Sequence, residues 1–151
     1  MVRRCGLLML LALLVAGCVG TPGNTISSQI NGRLDNISAA VARQNWVAFE
    51  SQLGSATTSG WQQNWLVVYE DGNEDSETYF TSPEQVTAFV RDSLRAVRME
   101  FHQRQEFIFQ TESSIDGRMV LVDKDGNRRG AAFRAFFLRP DWYLTHLQLR
   151  L

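Results

Sequence analysis

The sequence predicts an α+β domain in which N-terminal helices pack on one side of a curved, mainly antiparallel sheet. Three observations support this fold class. Apolar residues recur at helical spacing early in the chain, a capping motif opens another helix near its middle, and short alternating segments separated by turn signals fill the last third. Helices that come before a run of strands are typical of α+β domains.

Two helices begin the predicted domain. The first is marked by a stripe of apolar residues at spacings of four, four, three and four: Ile26, Ile30, Leu34, Ile37 and Val41. Asn45 fits the N-cap of a second, short helix. Three apolar residues of that helix are expected to face the core: Trp46, Phe49 and Leu53.

A hairpin is predicted next. The segment from Trp61 to Tyr69 has period two and is rich in β-forming residues on both phases, so we expect a strand with both faces at least partly covered. Asp71-Gly72-Asn73 is a turn signal, and Glu77 to Phe80 fits the returning strand after an acidic loop.

The clearest local signal opens a third helix. In Ser82-Pro83-Glu84-Gln85, the Ser82 hydroxyl can accept from the amide three residues on, Gln85 can reach back, and Pro83 fits the first helical position. The apolar residues expected to face inward are Val86, Phe89, Val90, Leu94 and Val97. Three arginines are expected on another face: Arg91, Arg95 and Arg98.

Four strands are predicted in the last third, over residues 98–110, 119–122, 131–138 and 142–151. Asp116-Gly117 and Asp125-Gly126-Asn127 are turn signals between the first three strands. Arg139-Pro140-Asp141 fits a corner before the fourth. Connections this short indicate an antiparallel meander.

The start of the chain indicates export. Arg3 and Arg4 precede an uncharged run from Cys5 to Ala16, which is too short to span a bilayer. Leu14-Val15-Ala16-Gly17-Cys18 resembles the lipobox of bacterial lipoproteins, with Val15 where Leu is commoner. The resemblance implies cleavage before Cys18, lipidation at the Cys18 thiol, and attachment to a membrane through that lipid.

The predicted organisation is a signal peptide over residues 1–17, a lipidated tether over 18–25 and one domain over 26–151. Cleavage would remove Cys5, so the mature domain would have no disulfide. In the lipoprotein family an Asp after the lipidated cysteine retains the protein at the inner membrane. Because Val19 is not that signal, the resemblance implies an outer-membrane protein that faces the periplasm.

Charge narrows the choice of partner. The predicted mature chain has 13 basic and 16 acidic side chains, a net charge of −3, which argues against nucleic acid. Residues 18–90 hold two of the basic side chains and residues 91–151 hold eleven. This asymmetry has two interpretations: a basic C-terminal face near anionic lipid or an acidic partner, or a solvated mixed surface.

The order of elements resembles the nuclear transport factor 2-like superfamily, which includes SnoaL-like cyclases and ketosteroid isomerases. The resemblance covers nearly all of residues 26–151, and three stretches carry it: residues 42–49, residues 81–86 and Asp141-Trp142-Tyr143-Leu144. It implies a cone-shaped fold whose helices and concave sheet face enclose a pocket. It also implies that the exposed sheet face can pair two copies in a homodimer.

Six residues are candidates for lining that pocket: Gln103, Gln105, His146, Trp142, Arg134 and Tyr69. Gln103 and Gln105 interrupt the apolar phase that contains Phe101, and buried amides would need partners there. Alternatively the strand bulges at this point and both amides reach solvent.

The other candidates also have two interpretations. His146 shares a phase with Trp142 and Leu144, but the competing phase is at least as apolar, so His146 faces either the pocket or water. Arg134, in phase with apolar neighbours, is an anion-binding candidate if it points inward and otherwise lies at an edge of the sheet.

No Asp or Glu lies on the clearly inward phases, whereas isomerase-like chemistry needs carboxyl groups in a dry pocket. We therefore expect a non-catalytic domain that binds a partner protein or a small apolar ligand. A SnoaL-like or ketosteroid isomerase-like enzyme acting on a small hydrophobic substrate is the alternative. No cofactor is expected. No metal is expected either, because Asp71, Asn73, Asp75 and Glu77 begin a calcium-loop pattern that Ser76 and Ser82 do not complete.

Overall fold

The structure, a computed structural model, describes residues 22–53, 66–69, 77–109, 111–139 and 142–151. Helix α1 (Pro22–Ala42) begins within the predicted tether, at a proline that suits a first helical position. Its predicted stripe is confirmed, because the side chains from Ile30 onward are at most 1% exposed and Ile26 packs against the same core. The predicted Cys18 lipidation site lies outside the described residues.

Helix α2 (Trp46–Glu50) follows directly, and its predicted cap is confirmed: the Asn45 side chain accepts a hydrogen bond from the Ala48 amide at 3.0 Å. Phe49 and Leu53 are buried, and Trp46 is half-buried with its ring edge-on to Phe49. Strands β1 (Leu66–Tyr69) and β2 (Glu77–Phe80) then form an antiparallel hairpin. The predicted start of β1 and the Asp71-Gly72-Asn73 turn lie outside the described residues.

The third helix has the predicted entry with one difference. In α3 (Pro83–Ala88) the Ser82 hydroxyl accepts from the Gln85 amide, but Gln85 reaches back to the Thr81 amide rather than to that of Ser82. A π-helical turn, Phe89–Ser93, ends the helix. Val97 was predicted on this helix and lies instead on the next strand.

The last third forms four long strands: β3 (Ala96–Ile108), β4 (Glu112–Asp123), β5 (Arg128–Leu138) and β6 (Tyr143–Arg150). The predicted turn at Asp116-Gly117 is wrong, because both residues lie inside β4, where Asp116 pairs with β3 and β5 and Gly117 pairs with β5. The predicted turn at Asp125-Gly126-Asn127 is confirmed, with Gly126 in the left-handed region at φ 83°. The corner at Pro140-Asp141 lies outside the described residues.

The described strands form one sheet in the order β2-β1-β6-β5-β4-β3. β1 pairs with β6 in parallel and every other neighbouring pair is antiparallel, so the sheet is mainly antiparallel as predicted. Helix α1 lies across β3 on one face, which we call the inner face, and the opposite face is the outer face. No helix in the described ranges is both long and apolar enough to cross a bilayer.

Candidate functional site

The β3 strand changes its facing at a β-bulge. His102 pairs with Arg118 and Gln105 pairs with Asp116, so β3 advances three residues while β4 advances two. Gln103 takes up the extra residue with a left-handed φ of 50°. Side chains that would have pointed outward therefore point inward beyond this position.

Gly117 lies opposite the bulge and leaves the space that the bulge needs. A Cβ atom added at Gly117 would lie 2.6 Å from the His102 carbonyl oxygen and 2.7 Å from the Phe133 ring. The pair Asp116-Gly117, which reads as a turn in sequence, instead marks a close approach of two backbones inside a sheet.

Because of the bulge, Arg104 and Glu106 face helix α1. Arg104 donates one hydrogen bond to the Asn31 side-chain oxygen at 2.9 Å and another to the Asp35 carboxylate at 2.6 Å. The Asn31 amide donates to Glu106 at 2.5 Å. These four side chains, Asn31, Asp35, Arg104 and Glu106, are called the bulge cluster. They hold the middle of α1 against the second half of β3.

The expectation that Gln103 and Gln105 line an inner pocket is wrong in its geometry, since both residues are exposed. The structure has the other predicted arrangement: the strand bulges at this point, and both amides are exposed to solvent. Alternation alone predicts the wrong face here, because one inserted residue reverses the phase of everything after it.

The space between α1 and the sheet is filled by large apolar side chains. Phe101 and Phe133 pack edge-on with ring centroids 4.9 Å apart, and they are 5% and 4% exposed. Met119 and Phe137 have no accessible surface. Side chains that line an open cavity retain accessible surface, so this part of the cone is packed rather than open.

Buried polar groups in the described residues are few. Those that are buried are Thr87 and Ser113, and both hydroxyls have partners in the chain. The Thr87 hydroxyl donates to the Pro83 carbonyl at 2.7 Å, and the Ser113 hydroxyl accepts from the Phe109 amide at 3.4 Å. In the described residues, each hydroxyl is bonded to a backbone group rather than to a histidine or carboxylate side chain.

The β6 strand has a bulge of its own, since Phe136 pairs with His146 while Phe137 pairs with Leu144. Each of the two alternating sets of side chains predicted for this strand is therefore partly buried. Leu144, from one set, is buried before the bulge, and Leu147, from the other set, is buried after it. Trp142 is buried as expected, with Arg139 lying 5.7 Å from its ring centroid. The side chains of His146 and Tyr69 lie outside what the structure describes.

Arg134 lies on the outer face, so the alternative in which it points inward is wrong. Its guanidinium donates two hydrogen bonds to the Asp116 carboxylate, at 2.8 and 2.6 Å. The hydrogen bonds and the negative charge of Asp116 raise the pKa of Arg134. Arg134 is thus a fixed cation on an exposed sheet surface.

A concave region of about 270 Å³ surrounds this ion pair. Ala132 is its short central residue, and β-sheet pairing places Arg118 and Arg150 directly opposite Ala132 on the two neighbouring strands. We call this region the outer depression; its lining residues are Asp116, Gly117, Ala132, Phe133, Arg134, Gln148 and Arg150. Arg118 and Arg150 are exposed, so the region presents more basic than acidic groups to solvent.

The turn between β4 and β5 is closed by a carboxylate rather than by a metal. Asp123 accepts hydrogen bonds from the Asp125 amide at 2.8 Å and from the Asn127 amide and side chain at 2.9 Å each. These bonds, that of the Asn127 side chain foremost, lower the pKa of Asp123. In the described part of the chain no group of His, Cys, Asp or Glu side chains is arranged to hold a metal ion.

Solved structures share this arrangement of helices and sheet. One is a nuclear transport factor 2-like protein with a cystatin-like fold from Novosphingobium aromaticivorans, at a TM-score of 0.60 and 10% identity over 99% of this chain and 92% of that chain. Another is such a protein, of unknown function, from Shewanella oneidensis, at a TM-score of 0.59 and 14% identity over 83% and 98% of the two chains. The chain has the nuclear transport factor 2-like fold.

A third structure with the nuclear transport factor 2-like fold is a candidate dehydratase from Streptomyces avermitilis. Its TM-score is 0.53, with 13% identity over 85% of this chain and 99% of that chain. Identities this low establish the fold and leave the function to be argued from the site. No protein-family model matches the chain, and no curated protein matches it in sequence.

The bulge cluster and the outer depression were missed by the sequence reasoning. A signal for the first is present, because Arg104 and Glu106 stand on the charged phase at the point where Gln103 and Gln105 interrupt the apolar one. The outer depression has no comparable local signal, because Asp116, Arg134 and Gln148 are far apart in sequence and come together only when their strands pair.

Proposed function

We propose that the chain is an envelope lipoprotein whose non-catalytic domain binds a partner protein through the outer face of its sheet, at the periplasmic side of the outer membrane. One observation carries the binding part of the proposal. The inner face is filled by side chains such as Phe133 and Phe137, while the outer face has a concave, arginine-lined region. A binding surface is therefore available outside the cone rather than within it.

The membrane part of the proposal is supported by the sequence before α1. The motif Leu14-Val15-Ala16-Gly17-Cys18 resembles a lipobox, and α1 begins only four residues after Cys18. At about 3.5 Å per extended residue, such a linker spans about 14 Å. A domain on so short a tether would remain at the membrane surface.

The packed interior supports binding rather than catalysis. The buried hydroxyls of Thr87 and Ser113 are engaged by the chain itself, and the described core residues offer no carboxyl group to act as a base. The same packing favours a partner protein over a small apolar ligand, because a ligand would need space that Phe101 and Met119 already fill.

The chemistry of the outer depression suggests what a partner would present. Asp116 accepts two hydrogen bonds from Arg134, while Arg118, opposite Ala132 on the neighbouring strand, is exposed. A carboxylate side chain on the partner would match Arg118 in charge and in hydrogen-bond geometry. A second copy of the chain is the other occupant to be distinguished.

Site-specific photo-crosslinking in the envelope tests this proposal. We expect a photo-reactive residue at Ala132 to give a discrete adduct, because Ala132 lies at the centre of the outer depression. The control is a photo-reactive residue at Val47, which is 82% exposed on α2 and lies off the sheet. An adduct of twice the chain mass would identify a homodimer, and equal labelling from both positions would contradict the proposed surface.

Native mass spectrometry of the purified chain distinguishes a protein partner from a small apolar ligand. If the domain binds only a protein, the gently purified chain should carry no bound small molecule. A reproducible extra mass that is released on unfolding would instead support the small apolar ligand. The intact mass also reports whether Cys18 carries lipid, which tests the membrane part of the proposal independently.

A further inference from the structure

Two phenylalanines are exposed at one end of the sheet. Phe107 is 39% exposed near the end of β3, and Phe109, just beyond the strand, is 59% exposed. They lie two residues apart and so point to the same side of the extended chain. Together the two rings form one exposed apolar patch, which is a candidate contact surface.

This aromatic end of the sheet is also where α1 begins. Three contacts show that α1 runs antiparallel to β3: Gln44 donates to the Ala96 carbonyl at 3.0 Å, Asp35 pairs with Arg104, and Asn31 pairs with Glu106. Moving toward the start of α1 therefore means moving toward the end of β3.

The rise per residue gives the position of the start of α1 along this direction. Pro22 lies nine residues before Asn31, a distance of about 14 Å along a helix. Phe109 lies three residues after Glu106, about 10 Å along a strand. The first residue of α1 thus lies at or slightly beyond the level of Phe109.

We infer that Phe107 and Phe109 insert into the lipid bilayer surface to which the chain is tethered, so that this end of the sheet faces the membrane. The inference rests on the proposed lipidation of Cys18. With only three residues between Cys18 and Pro22, the anchored end of α1 and the two phenyl rings would reach the interface together. Short aromatic insertions of this kind add a second attachment to a lipid anchor.

The polar groups at this end are compatible with a headgroup region. Arg139 is exposed here, and its amide donates to the Thr111 carbonyl at 3.1 Å, which fixes it beside the β3–β4 connection. Its guanidinium can meet a lipid phosphate. Glu112 is also exposed at this end, and its negative charge is repelled by anionic lipid. The contact therefore depends on the phenyl rings more than on charge.

Depth-dependent fluorescence quenching tests the inference on the full, processed chain. Phe109→Cys is labelled with a small fluorophore and reconstituted into phosphatidylethanolamine–phosphatidylglycerol vesicles that contain acyl-chain quenchers. The matched control is Val47→Cys, because Val47 is more exposed but lies next to the Asn45 cap, beyond the other end of α1. We expect quenching at position 109 to be at least about twofold stronger than at position 47, since only 109 would enter the acyl region.

Equal quenching at the two positions would overturn the inference. So would a blue-shifted label at 109 in the absence of vesicles, which would mean that another protein surface covers this end. Intact mass reports Cys18 lipidation separately, so a lipidated chain with an unquenched label at 109 contradicts the docking inference alone.

A second variant pair avoids the lipid anchor. In the chain from residue 18 onward carrying Cys18→Ser, which lacks both the lipid and the apolar run of residues 5–16, we expect vesicle flotation to fall several-fold when Phe107→Ser and Phe109→Ser are added, because the apolar contact is lost. Val47→Ser in the same background should leave flotation unchanged. Unaltered flotation of the double variant would contradict the inference, and its urea unfolding midpoint would report whether it is folded.

Discussion

The two halves of β3 lie on the same strand and beneath the same helix, yet they contribute to the domain in opposite ways. Before the bulge, Met99 and Phe101 point inward and are at most 5% exposed, whereas His102 is exposed. After it, the inward positions are held by Arg104 and Glu106, which meet α1 through hydrogen bonds. One inserted residue therefore divides the strand into a half that forms the core and a half that forms a polar contact.

The inner face of the sheet is therefore not uniformly apolar. The energy of the first half comes from apolar area removed from water, and that of the second half from charged hydrogen bonds at a partly solvated edge. Substitutions should consequently cost much more before the bulge than after it.

The largest expected effect is at Met99, which is 1% exposed. Met99→Ala should lower the free energy of unfolding by about 2–5 kcal/mol, because a buried side chain is lost and a cavity remains. Urea unfolding measures this value. Glu106→Ala, at an inward position after the bulge, should cost only about 1 kcal/mol, because it removes one hydrogen bond from Asn31 at a partly solvated edge. Equal losses for the two variants would mean that the halves do not differ.

The next largest loss of stability is expected at Gly117, which lacks a side chain that would clash with the bulge. Gly117→Ala should lower the free energy of unfolding by about 1–3 kcal/mol, since its Cβ would lie 2.6 Å from the His102 carbonyl oxygen. Gly130→Ala is the matched control, because nothing lies within 4 Å of a Cβ at that position. It should leave stability unchanged or raise it by up to about 1 kcal/mol. A silent Gly117→Ala would contradict the close approach.

A smaller effect is expected in the bulge cluster. Arg104→Ala should cost about 1 kcal/mol, because it removes hydrogen bonds to Asn31 and Asp35 but the Asp35 side chain is 64% exposed. The control Arg91→Ala breaks an ion pair between exposed neighbours and should leave the melting temperature nearly unchanged. Thermal unfolding of both variants distinguishes the two, and a cost at Arg104 no greater than at Arg91 would count against the cluster.

The smallest expected effect is a gain in stability rather than a loss. Gln103 has a φ of 50°, a conformation that glycine adopts without strain. Gln103→Gly should therefore raise the free energy of unfolding by up to about 1 kcal/mol, whereas Gln105→Gly should lower it by about 0.5–1 kcal/mol. Differential scanning calorimetry measures the pair. If both substitutions destabilise the protein equally, the left-handed residue at 103 costs nothing.

Much of the fold was predictable because its signals are local. The stripe ending at Val41, the Asn45 cap and the Ser82 capping motif each depend on a few neighbouring residues, and all three lie where the pattern places them. Long-range pairing was predictable only as an antiparallel meander. Nothing local shows that β1 pairs with β6 in parallel.

The pocket candidates were less predictable, because they depend on which way a side chain points. Alternation along β3 correctly places Phe101 inside and then fails at Gln103 and Gln105. The apolar neighbours of Arg134 left its direction open, and the structure buries Phe133 and Ala135 instead. Neither direction could be fixed from the sequence, because the facing of a strand depends on its register and its bulges.

The sequence alone determined the α+β class, the helices with their caps, the strand-rich last third and the lipobox-like motif before α1. Each of these rests on spacing or composition over a few residues. Only the tertiary structure decided the facing of Arg104, the pairing of Arg134 with Asp116, and the antiparallel course of α1 along β3. The physical reason is that a single bulge, held by a glycine on the neighbouring strand, reverses every facing that follows it.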